Sequence, residues 1–361
     1  MYLTKYRVIE FKNEENYIKD FLLLPKLLYD KKTFTQDETA ERKIIEETHV
    51  LNKYFKQHKF LVYDREEKVC GRCVLTIYDG AAEAYIGYFE CIEEDECAAL
   101  IFAAAEECAQ KAELGSIIGP VDSSFWIKYR LKIDSFDRKP YVGEPYNKPY
   151  YKKMFSDNGY AVLESWVSNI YRKTHLLYNR KTIYKERLNT AKASDYKIVS
   201  PNPKDFDETL VIIYELISET FSEFVTFKKI SLEDFREIFK NYKYILDYHF
   251  FKIVYHNEEA VAFSIMLPDY QNLLHGKLTV YKKIRILLKK IRSENYVSLY
   301  MGVKKEHRGL GKALAQTIVR NTYIRFSGCI GALITEGKIT EHYAKEQLGG
   351  KIRHVLFKKE I

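Results

Sequence analysis

Long apolar runs are missing from this sequence of 361 residues: no window approaches the roughly 20 apolar residues that span a bilayer. The opening stretch, MYLTKYRVIEFKNEENYIKD, lacks the apolar core of a secretory leader, so a cytoplasmic location is expected. Cysteine is scarce as well. Six in a chain this long are too few for a disulfide scaffold and agree with a reducing compartment. Cys70 and Cys73 have CxxC spacing, but no second pair follows to complete a zinc site, and in a strand an odd spacing sends the two thiols to opposite faces. No metal is therefore expected. Neither sign of charge dominates: 58 Lys and Arg against 50 Asp and Glu give a net +8, with the charges intermixed. That excess suits an anionic small molecule or an acidic protein. With no basic-aromatic stripe and no helix-turn-helix pattern, nucleic acid is not an expected partner.

What is present is enough apolar material, 46% of residues, for more than one core. Periodicity in the first half gives a strand near Tyr6–Glu10 and an amphipathic helix that Pro25 should break. A hairpin follows with its turn at Asp64–Lys68, then the strand EAYIGYFECI, an Ala-rich helix from Asp95 to Gly115, and the strand SIIGP. A long aromatic loop, Val121–Tyr151, comes next and is expected at a domain interface. The second half repeats the order: a strand at Tyr196–Val199, two helices, a hairpin turning at Asn257–Glu259, the strand YVSLYMGV, a loop and helix, and the strand GCIGALIT. The expectation is an α/β (α+β) fold used twice, with one domain at 1–175, a polar linker at 176–195 and a second domain at 196–361.

The informative stretch is VKKEHRGLGKALAQ, Val303 to Gln316, placed where a strand gives way to a helix. Gly309 and Gly311 leave their amides uncovered, and the helix that starts there adds the positive end of its dipole, which makes an anion site. The spacing G-x-G-K-A is neither a dinucleotide fingerprint nor a P-loop. Arg308-x-x-Gly311-x-Ala313 resembles the Q/R-x-x-G-x-G/A signature of the GCN5-related N-acetyltransferases. The likeness implies two tandem domains of that type, each a mixed, mostly antiparallel sheet flanked by helices. It implies acetyl-CoA or another acyl-CoA as co-substrate, its pyrophosphate held by Arg308, Gly309, Leu310, Gly311, Lys312 and Ala313. Met301 and Val303 would meet the pantetheine through their backbones. At the corresponding place the first half reads EEDECAAL, with four acidic groups and no glycine, and is expected to be a degenerate copy without a cofactor site.

The same resemblance frames the catalytic candidates. Relatives that place a base on the fourth strand use inward positions which here are Val297 and Leu299, both apolar, so the base lies elsewhere or a water chain serves. A tyrosine on the helix after the fifth strand often protonates the leaving thiolate. Here Lys345 has its spacing, and Tyr343, half a turn earlier, is the candidate acid. Glu336 is a candidate for orienting an acceptor amine. The basic amphipathic stretch HGKLTVYKKIRILLKKIR reads as a solvated helix, a docking face for an acidic partner such as an acyl carrier protein, a clamp on cofactor phosphates, or a membrane contact. The expected activity is transfer of an acetyl or other acyl group to the amine of a small-molecule or amino-acid-like acceptor, without stable membrane association. Its rivals are an acyl carrier protein as donor and a non-catalytic acyl-CoA-binding module.

Overall fold

A computed structural model describes residues 5–173, 186, 189, 191 and 194–361. The expected linker at 176–195 lies almost wholly outside the described residues. The first half runs β1 (Tyr6–Phe11), α1 (Glu15–Leu28), α2 (Glu38–Ile45), β2 (Phe55–Asp64), β3 (Val69–Tyr78), β4 (Glu83–Cys91), α3 (Asp95–Lys111) and β5 (Ser116–Gly119). After a long connection carrying β6 (Leu131–Lys132) come α4 (Tyr151–Asp157) and β7 (Ala161–Tyr171). The second half runs β8 (Lys197–Val199), α5 (Phe206–Thr220), α6 (Leu232–Phe239), β9 (Phe251–His256) and β10 (Glu259–Pro268). It continues through α7 (Val280–Ile291), β11 (Asn295–Val303), α8 (Leu310–Ile324), β12 (Gly328–Thr335) and β13 (Leu348–Glu360). The repeated order is thus present, and both hairpins turn where expected. Asn257 and Glu258 adopt positive φ, as a two-residue hairpin turn requires.

Among the described residues one continuous sheet runs through the molecule in the order β1-β2-β3-β4-β5-β13-β7-β12-β11-β10-β9-β8. In each half the fourth strand is antiparallel to the third and parallel to the fifth. The halves then exchange their final strands. β7 pairs with β12 of the second half, and β13 pairs with β5 of the first. β7 and β13 pair with each other along nearly their whole length, from Tyr171 opposite Leu348 to Ala161 opposite Lys358. The largest apolar core draws on both halves, from Phe55 and Tyr85 to Phe221, Phe263 and Val297, and the aromatic loop enters it: Trp126 packs on Phe235 and donates from Nε1 to Lys228 O at 2.8 Å.

Two local expectations are corrected. α1 does not break at Pro25 but continues to Leu28. A proline cannot donate to the carbonyl four residues back, here that of Phe21. The buried Arg72 guanidinium supplies the missing donor at 2.7 Å and also pairs with Glu41. Cys70 and Cys73, in turn, do not face opposite ways. The register passes from Val62↔Gly71 to Tyr63↔Val69, so Cys70 is the extra residue of a bulge. The bulge resets the alternation and puts both thiols in one apolar cluster under α3.

Candidate active site

β11 and β12 pair only from Asn295↔Gly328 to Ser298↔Gly331. Beyond that β12 swings away to β7, and β11 follows β10 alone through a bulge at Leu299. The strands therefore splay and leave one edge of β11 uncovered. Lys304 donates its amide to Val261 of β10 at 3.0 Å, so the backbone of Lys304 faces β10. By alternation the backbone groups of Met301 and Val303 face the uncovered edge, while their side chains pack against Leu310, Ala313 and Leu314 of α8.

At the end of this edge the chain turns into α8 through Gly309, whose φ of 111° is closed to ordinary side chains. Gly309 is also the N-cap, so no side chain satisfies the amides of the first turn. A Cβ there would meet nothing within 4 Å, which leaves the approach clear. Arg308 and Lys312 are exposed beside it, and Leu310 and Ala313 anchor the turn in the apolar cluster. The loop is braced from below: His307 Nδ1 lies 2.9 Å from the Tyr196 hydroxyl, and the Lys304 ammonium pairs with Glu259 and Glu219. The residues present fit an anion with phosphate groups, since uncapped amides and a helix dipole lie beside two exposed cations, with no side chain over Gly309.

The first half has the same splay, with β4 and β5 paired only from Glu83↔Ser116 to Tyr85↔Ile118. There the gap is filled by the chain itself. Val121 donates its amide to Ile86 O at 2.8 Å, and the Asp122 carboxylate accepts from the Tyr88 amide at 2.6 Å. The fit is close enough that a Cβ on Gly87 would stand 1.8 Å from Val121 O. Glu94 and Asp95 at the start of α3 are engaged by Lys5 and Lys153. In this half the Val121 amide and the Asp122 carboxylate occupy hydrogen-bonding positions along β4 whose counterparts on β11 the second half leaves open.

Tyr343 does not lie on a helix. Between β12 and β13 the chain makes two short 3-10 turns, Ile339–His342 and Lys345–Gln347, with Tyr343 extended between them. Glu341 ties this short connection down by accepting from the Gly337 amide and the Lys351 ammonium. The Tyr343 phenol rests on the first turn of α8, its hydroxyl 2.9 Å from where a Cβ on Gly311 would stand. Gly311 is small for that ring's sake. Glu336 is exposed one residue past the end of β12, 3.9 Å from Arg353 Nε. The structure brings Tyr343 to the glycine loop and leaves Glu336 outside it.

On the opposite face of the splay, the Arg130 guanidinium is stacked between the rings of Tyr129 and Trp166, 3.6 and 4.3 Å from their centroids. Its Nε is buried with no hydrogen-bond partner among the described residues, and burial lowers its pKa. Tyr300 of β11 and Glu164 of β7 act on it through space. Glu164 is half-buried on the same strand face as Trp166, and burial raises its pKa against the pull of Arg130 and Lys338. Sequence reasoning missed Arg130, Trp166 and Glu164. The aromatic loop was the one signal, and no spacing links three residues that meet only because β7 crosses into the other half. Among the described residues no cluster of His, Cys, Asp or Glu could hold a metal ion, and no helix is long and apolar enough to cross a membrane.

No family model matches the sequence, and no curated protein matches it. Solved structures do match in fold. A tandem GNAT protein from the clavulanic acid biosynthesis pathway is 13% identical, with 98% of each chain covered and a TM-score of 0.53. A GCN5-related N-acetyltransferase from Sphaerobacter thermophilus is 12% identical over 99% of this chain and 96% of that one, with a TM-score of 0.52. A probable N-acyltransferase from Enterococcus faecalis V583 is 13% identical over 99% and 73%, at 0.51. With two splayed strand pairs in one sheet, one glycine loop and full-length likeness to these structures, the chain has the fold of the tandem GCN5-related N-acetyltransferases.

Proposed function

We propose that the protein is an N-acyltransferase that moves an acetyl or other acyl group from acyl-CoA to the amine of a small, amino-acid-like acceptor. The observation that carries this reading is the contrast between two like grooves: one is filled by the chain's own Val121 and Asp122, while the other is open and ends in uncapped amides. In this reading residues 196–361 handle the cofactor and residues 1–175 shape the acceptor side. Arg308, Lys312 and the amides from Gly309 to Ala313 hold the pyrophosphate. Met301 and Val303 pair with the pantetheine, as one strand pairs with another.

Acyl transfer needs a neutral amine, a polarised thioester carbonyl and a proton for the leaving thiolate. A backbone amide on the uncovered edge of β11 polarises the carbonyl. Glu164, kept easier to protonate by burial, accepts the amine proton, with Glu336 as the outer carboxylate. Arg130 holds the acceptor's carboxylate, which gives its stacked, under-bonded guanidinium a counter-ion. Tyr343 is the acid for the thiolate. Its contact with Gly311 favours a second role, as part of the wall against the cofactor phosphates. Incubation with acetyl-CoA and a pooled library of amines and amino acids tests the assignment through thiol release and acylated mass. Thiol release that requires a carboxylate-bearing acceptor is expected, whereas CoA binding with no turnover on any amine leaves only a binding module.

A further inference from the structure

α7 is mounted the wrong way round for a helix that serves the core. At 100° per residue, Lys282, Ile286, Lys289 and Lys290 share one side, and these four are the partly covered residues. The three ammonium groups of that side bond inward to backbone carbonyls: Lys282 to His275 O, Lys289 to Asp269 O and Lys290 to Tyr244 O, at 2.6, 2.5 and 2.9 Å. The apolar side faces out. Val280, Tyr281, Ile284, Leu287, Leu288 and Ile291 each keep more than half of their surface in solvent, and no residue of α7 is buried. Tyr244, Ile324 and Phe326, as exposed, continue the patch at the helix's C-terminal end, where Arg325 donates to Ile291 O. Lys283 and Arg285 flank the stripe on its two sides and Arg292 closes its end. No acidic residue occurs from Gly276 to Ser293.

A patch of this size on a soluble surface marks an interaction site, and two features choose the occupant. The helix is convex, an exposed ridge about 18 Å long, so a folded partner would need a matching groove, while a deformable phase needs none. Its rim is wholly cationic, which fits anionic headgroups around a buried apolar stripe. A carrier protein fits poorly. α7 joins the chain at the start of β11, whereas the phosphate loop lies beyond its end, about 27 Å along the strand. A partner docked at the C-terminal end of α7 would present a phosphopantetheine at the opposite end of the groove from the phosphate site, and that end of the helix is equally far from the cofactor phosphates. We propose that α7, with Tyr244, Ile324 and Phe326, is a peripheral docking face that lies flat on an anionic lipid surface, reversibly and without spanning it.

Flotation of the full chain with phosphatidylglycerol-containing vesicles and with phosphatidylcholine vesicles tests the proposal. Binding to the anionic vesicles is expected. It should fall at least about tenfold in Ile284→Glu/Leu288→Glu and weaken in ~1 M salt, where screening shortens to about 3 Å. Both positions are exposed, so thermal melting and CoA affinity should match the parent, which separates lost docking from lost folding. Failure of the parent chain to float with anionic vesicles overturns the proposal. So does light scattering that shows a dimer dispersed by the same double substitution, because the stripe then belongs to a second copy. Equal binding to both kinds of vesicle also counts against it, since the cationic rim would have no part.

Discussion

Gly309 and Gly311 meet different demands, although the sequence presents them as one motif. Gly309 supplies a left-handed turn into open space, and Gly311 makes room for the Tyr343 ring. Gly311→Val therefore displaces that ring as well as crowding the loop. The expected result is a loss of CoA affinity of at least about tenfold, or ~1.4 kcal/mol, measured by calorimetry. Unchanged affinity would remove the loop from cofactor binding. Tyr343→Phe separates the two roles of the phenol. As the acid for the leaving thiolate it should lower kcat about a hundredfold with CoA affinity kept, whereas as a wall residue it should change affinity and spare kcat. Arg130→Met, which keeps the stacked stem and removes the charge, should raise KM for a carboxylate-bearing acceptor and leave KM for acetyl-CoA unmoved. Steady-state kinetics with each substrate varied in turn decides it.

At the scale of elements, the two splayed grooves give the clearest contrast. The first is closed by the Val121 amide donating to β4 and the Asp122 carboxylate accepting from it, and the absent side chain of Gly87 permits it. Gly87→Ala sets a Cβ against backbone, which cannot move aside as a side chain can. Destabilisation of about 3 kcal/mol is expected, the upper end for overpacking, and urea melting would measure it. These grooves also mark the limit of what the sequence carried. The element order, both hairpin turns and the glycine loop were legible because each rests on local chemistry: apolar period, turn residues and the lack of a Cβ. The acidic start of α3 led to the expectation of a first half without a phosphate site, but not of a plugged groove, because Val121 meets β4 through a backbone amide that every residue has and Asp122 through a carboxylate that no spacing ties to Tyr88. Pro25 was misread for a similar reason. Its effect depends on Arg72, forty-seven positions later, and no local pattern announces that donor.

For the whole molecule, the seam between the halves is the sensitive structure. Near it His354 is fully buried on β13 beside the enclosed Lys132–Glu144 pair, and neither ring nitrogen has a hydrogen-bond partner among the described residues. Burial lowers its pKa from the ordinary 6.5, against the opposing pull of Glu144. The folded state thus holds the ring neutral while the unfolded chain takes up a proton near 6.5. Its contribution to stability is whole above that pH and is lost as pH falls below it, by up to about 1.4 kcal/mol per pH unit. His354→Leu removes the titration without orphaning a partner. Relative to the parent, its urea midpoint should fall less between pH 7.5 and 5.5, and parallel losses would show that carboxylates elsewhere set the acid limit.

The exchanged strands have a consequence for biosynthesis. β5 can gain its neighbour only when residues 348–360 exist, and β7 must wait for β12. Between Tyr171 at the end of β7 and Leu348 at the start of β13 the ribosome adds 176 residues, on the order of 10–40 s of elongation. Throughout that interval the nascent first half shows the open edge of a finished sheet to the crowded cytosol or lumen of its host. Such an edge recruits strands from any chain nearby. The protein should therefore lean on a holding chaperone during synthesis, and slow codons placed between the halves should lower its soluble yield instead of raising it.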